Sequence, residues 1–88
     1  MENIDESAGS AKQLKRELAL VRVVAAGPRQ DEALNVVGAW SGRLLELGPT
    51  HFTVELSAEP DRLNYFIAAL KSHGAVTSLR SGVLALDS

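Results

Sequence analysis

From Leu14 to Ala26 the chain reads LKRELALVRVVAA, and both of its alternating sets are largely apolar. Taken as a strand, it puts Ala19, Val21, Val23 and Ala25 on one face and Leu18, Leu20, Arg22 and Val24 on the other. An antiparallel strand with one face in water carries polar residues on that face. This segment does not, so it belongs in a sheet covered on both sides. The 88 residues make one small domain whose folding removes only roughly 60 to 65% of the unfolded surface from water. Its own helices can cover one side of a sheet, and a second copy is the simplest cover for the other.

Gly27-Pro28 stops the strand, and Pro28 suits the first turn of a helix. Asp31 and Glu32 favour that helix's positive end, and Ala33, Val36, Val37 and Trp40 share a face as far as Ser41-Gly42. Next, RLLELGPTHFTVELS holds two runs of period two around Gly48-Pro49-Thr50, which predicts a hairpin. Pro60 and Asp61 open a second helix with Leu63, Phe66, Ile67 and Leu70 as its stripe and Gly74 as its stop. A last strand starts at Val76. The order βαββαβ predicts a ferredoxin-like α+β sandwich, a four-stranded antiparallel sheet with two helices on one face. Residues 14–88 are read as this domain, and residues 1–13 as a flexible tail or linker remnant, polar and unlike an export signal.

Chemistry is harder to find. Nine basic and 11 acidic residues, net charge -2, leave no electrostatic footprint for nucleic acid or an anionic membrane. An RNA-binding sheet of this topology needs exposed aromatics on its central strands, and only Phe52 falls there. With no cysteine, a disulfide framework is excluded and a reducing compartment, the cytoplasm, is expected. His51 and His73 have no partner at metal-ligand spacing, so no metal and no cofactor is expected. Arg29 and Asn35 make an acylphosphatase-like reaction thinkable, but the glycine-rich phosphate loop is missing and no catalytic residue is assigned. Gly27 and Arg29 are the weak candidates for a ligand site, at a turn that opens onto a helix N-terminus.

The ordered segments REL.LV.V.A at Arg16 to Ala25, Asp31-Glu32, Trp40 two residues before Gly42, GRLLELGPTHFTVELSA, LNYFIAAL and LRSGVLAL together resemble one family. It is the regulatory small subunit of acetohydroxyacid (acetolactate) synthase, and the resemblance covers residues 15 to 86 and only the C-terminal half of that subunit. That half looks somewhat like the ligand domain of a nickel-responsive regulator, but the histidine and cysteine set for metal is not here. What the resemblance implies is a non-catalytic role. Such a subunit docks on the thiamine-diphosphate-dependent large subunit, raises its activity and confers feedback inhibition by branched-chain amino acids. The family's N-terminal ACT domain, with its valine site, has no counterpart in these residues. The alternative is a stand-alone ACT-like amino-acid sensor using the turn at Gly27.

Arg80, Ser81 and Gly82 match the family's Arg-Ser/Thr-Gly ending. Ser81-Gly82 interrupts an otherwise strand-like run before Val83-Leu84-Ala85-Leu86, which predicts a bulge, with Arg80 paired to a carboxylate such as Glu17 or Glu46 or else docking a partner. A homodimer or higher even-numbered oligomer is expected, with Leu18, Leu20, Arg22, Val24 and Arg80 at or near interfaces.

Overall fold

A computed structural model describes residues 13–87. The tail expected over residues 1–13 lies outside the described residues except for Gln13, which is already strand. The order is β1 (Gln13–Val24), α1 (Pro28–Ala39), β2 (Arg43–Leu47), β3 (His51–Ala58), α2 (Pro60–Lys71), β4 (Ala75–Arg80) and β5 (Leu84–Asp87). The main sheet runs β2-β3-β1-β4 with antiparallel neighbours, the ferredoxin-like arrangement. The two expected faces of β1 separate cleanly. Ala19, Val21 and Val23 are fully buried with Phe52 and Val54 of β3, beneath Leu63, Phe66 and Leu70 of α2 and Ala33 and Val37 of α1. Leu18, Leu20, Arg22 and Val24 point the other way and stay exposed.

The last strand differs from expectation. β4 ends at Arg80 and β5 continues in the same lane along β1, so the described residues hold five strands where four were expected. Between the pairs Ala19↔Arg80 and Arg16↔Leu84, β1 contributes Glu17 and Leu18 while the facing chain contributes Ser81, Gly82 and Val83. One extra residue on one strand is a β-bulge. Gly82 takes the left-handed turn this needs, at φ 90°. The result is a ribbon, β1 against β4 and β5, that outruns the sheet: β3 reaches only to Ala58, opposite Glu17.

α1 closes where the sequence reading places its end, at Ser41-Gly42, while α2 ends before Gly74. The positive φ that ends α1 falls on Ser41, at 60°, rather than on Gly42. The Ser41 amide donates to the Gly38 carbonyl and the Gly42 amide to the Val37 carbonyl, closing a Schellman turn with serine where glycine is usual. Gly42 is there for space: a Cβ would stand 2.8 Å from Val54 Cγ2. A side chain in the left-handed region costs about 1 kcal/mol, so Ser41→Gly is expected to raise stability by up to about that amount in urea unfolding. The second helix, α2, stops at Lys71. Gly74 serves a close approach, since any Cβ would overlap the Val24 carbonyl.

Candidate interaction site

The bulge at Ser81-Gly82 is pinned by Glu17 and Arg80. Arg80 donates from Nε and Nη2 to Glu17 Oε1 at 3.0 and 2.6 Å, and the Gly82 amide donates to Glu17 Oε2 at 3.2 Å. Ser81 completes the pin: its amide donates to the Leu18 carbonyl, and its Oγ accepts from the Leu18 amide at 3.0 Å. Arg80 also donates to Asn64 Oδ1 and to the Pro60 carbonyl, tying the bulge to the first turn of α2. Of the two partners expected for Arg80, Glu17 is the one it has. Glu46 lies instead at the far edge, accepting from Thr53 Oγ1 and 3.5 Å from His51.

The Glu17 carboxyl is 8% exposed and is the one buried acidic side chain among the described residues. The hydrogen bonds from Arg80 hold it below the usual carboxylate range; the charge of Arg80 and the Gly82 amide add to this, against the opposing effect of burial. A lowered folded pKa stabilises the fold at pH values above the unfolded pKa, and that contribution disappears as pH falls through the lowered value. Melting temperature is therefore expected to drop on acidification below about pH 4, and the drop to be smaller in Glu17→Gln, which has no charge there to lose.

The open face of the sheet is divided. Along β1 and β4 it presents Leu18, Leu20 and Val24, with Leu79 opposite Leu20. The ribbon extends the stripe through Leu14 and Leu86, which pair, and Leu84 opposite Arg16. Their exposure runs from 37% at Leu20 to 76% at Leu84. Along β2 and β3 the same face is charged: Arg43 stands 4.0 Å from Glu55, near Glu46 and His51. Arg22 sits between the halves, opposite Thr53 and Thr77. A contiguous apolar stripe beside a charged strip is the composition of a contact surface.

The other sequence candidates do not converge. Arg29 is exposed on α1, and Gly27 at φ 60° spends its carbonyl on the amides of Gln30 and Asp31. Pro28 has no amide hydrogen, so only the Arg29 amide remains for an anion at that turn. Asn35 is exposed on α1, and Phe52 is fully buried and out of reach of a base. His73 stands 3.4 Å from Glu32, a contact between α1 and the turn after α2 rather than a ligand set. No group of three or more metal-ligating side chains occurs among the described residues, and no helix among them is long and apolar enough to cross a membrane.

A feature the sequence reading missed lies at the end of β3, in a cleft of about 300 Å³ lined by Arg16, Trp40, Leu56, Ala58, Glu59 and Arg62. The Arg62 guanidinium stacks 4.9 Å from the centre of the Trp40 ring. The i, i+3 and i, i+4 stripes marked Trp40 as core. It is half-buried instead, with Phe66 on one side at 5.7 Å and this cleft beside it.

Fold and surface together define a ferredoxin-like α+β domain whose most developed surface is an apolar sheet face. Residues 16–88 match the sequence model of the small subunit of acetolactate synthase, and the chain belongs to that family. It is 30% identical over 80 residues to the acetolactate synthase isozyme 3 small subunit of Salmonella typhimurium, covering 90% of this chain and 49% of that protein. It is 31% identical over 74 residues to the acetolactate synthase small subunit of Aquifex aeolicus, covering 83% of this chain and 38% of that one. The chain thus spans half or less of the length of these curated relatives. The fold is that of the acetolactate synthase small subunit from Thermotoga maritima, with a TM-score of 0.76 at 20% identity over 86% of this chain and 47% of that structure.

Proposed function

We propose that this chain is a non-catalytic regulatory and assembly domain that docks on the catalytic large subunit of acetolactate synthase and pairs with a second copy of itself. The family supports the first part, and the observation that carries the second is the apolar stripe from Leu86 and Leu14 to Val24 across the open face. Seven side chains that remain 37% to 76% exposed would gain on the order of 1 kcal/mol each on burial, enough to offset the lower end of the cost of association. The charged strip on β2 and β3 then sets the register, because Arg43 and Glu55 can face their opposites on the other copy. The chain has no cysteine, which supports a reducing compartment, the cytoplasm, as its place of work. Mixing the chain with its cognate large subunit tests the docking. Co-elution with a change in the rate of acetolactate formation is expected, and neither at high concentration would overturn it.

A further inference from the structure

Beyond the end of β3, one edge of β1 has no strand beside it among the described residues. Leu18 directs its amide and carbonyl toward Ser81, on the side of β4 and β5. Backbone groups alternate along an antiparallel strand. Gln13 and Lys15 therefore direct theirs to the opposite side, into the lane that β3 leaves after pairing Ala58 with Glu17. Within that lane the Arg16 guanidinium donates to the Lys15 carbonyl at 2.9 Å, and the Arg16–Trp40–Arg62 cleft adjoins it. Neither Arg16 nor Arg62 forms an ion pair among the described residues.

We infer that this lane receives an extended segment of the catalytic subunit, which adds as a strand along Gln13–Arg16 and places a carboxylate side chain between Arg16 and Arg62. The inference rests on the docking proposed above and names its contact. Strand addition supplies main-chain hydrogen bonds, and the cleft beside it reads an alternate side chain. Guanidinium forks match a carboxylate in two-pronged geometry, and an indole with a stacked arginine is the kind of anchor on which binding energy concentrates. Charge selects against self-pairing here. A second copy laid antiparallel on this edge would set Lys15 and Arg16 against Lys15 and Arg16, and like charges across an edge repel. With Glu59 the only acidic group lining the cleft among the described residues, the surroundings of Lys15, Arg16 and Arg62 favour an acidic guest.

The test is a binding titration of the full chain against its cognate catalytic subunit, with two variants. Arg16→Gln with Arg62→Gln removes the carboxylate site at exposed positions, and Lys15→Pro removes an amide from the lane without touching a bond to β5. Each is expected to weaken binding at least about tenfold, while thermal melting shows the fold retained. Binding by the arginine variant within twofold of the unmodified chain overturns the carboxylate site and leaves the docking proposal standing. Unchanged binding by Lys15→Pro overturns the added strand. No binding by the unmodified chain overturns the docking itself, and this contact with it.

Discussion

Phe66→Ala is expected to cost about 3–5 kcal/mol. Phe66 is fully buried in α2, sits 5.7 Å from Trp40, and belongs to the one layer that joins both helices to the sheet. The core of this chain is thin, with Phe52 and Phe66 the two largest wholly buried side chains among the described residues. Collapse around a missing ring is limited because Leu63 and Leu70 flank it on the same helix and Val21 and Val23 are held by the sheet register. A domain of this size has a total stability of the same order as the loss, so urea unfolding of the variant should start near zero denaturant. A loss below about 1 kcal/mol would mean that the ring is not in the core.

Leu20→Asp is expected to change the state of assembly rather than the interior. Leu20 is 37% exposed, opposite Leu79 on one side and Glu55 on the other, in the middle of the apolar stripe. In a free subunit an aspartate there still meets water, at the modest cost of a like charge opposite Glu55. In a face-to-face pair the same carboxylate is buried twice across the symmetry axis without a cation designed for it, and a lone buried charge is strongly unfavourable. Size-exclusion chromatography with light scattering should show a variant that is monomeric, or unfolded where the second copy contributes to stability. A variant that assembles as the unmodified chain does would remove the stripe from the interface. Arg22→Ala, nearer the charged strip, should have a smaller effect.

The sequence made much of this legible, for a physical reason. Elements with a clear period, such as the α2 stripe at Leu63, Phe66, Ile67 and Leu70 or the alternation in β1, bury the residues that the period selects. The exposed set Leu18, Leu20, Arg22 and Val24 was readable for the same reason, because a one-residue offset along a strand moves a side chain to the other face. The Glu17–Arg80 pair was half legible. A buried carboxylate beside a bulge needs a cation, but only the register of β1 on β4 brings residues 63 positions apart together and excludes Glu46. What stayed hidden depends on spatial neighbours with no local signal. The interruption at Ser81-Gly82 was legible, but that β5 resumes in the lane of β4 follows from its pairing with Gln13–Arg16, which the run Val83-Leu84-Ala85-Leu86 does not specify by itself. At the end of α1 the left-handed conformation falls on Ser41 while Gly42 is required where a Cβ would press on Val54, and no local pattern says which of the two residues takes which role. The Arg16–Trp40–Arg62 cleft is assembled from β1, the end of α1 and the start of α2, and nothing in any one of these segments announces it.

The central claim is that the open face of the sheet, with its stripe of leucines, is covered by a second copy of this chain. Sedimentation equilibrium of the unmodified protein at tens of micromolar tests it most directly. A mass of twice 9.4 kDa, or a higher even multiple, is the expected result, with dissociation on dilution. A compact, soluble monomer of 9.4 kDa throughout that range would contradict it, because the exposed stripe would then be stable in water with nothing upon it.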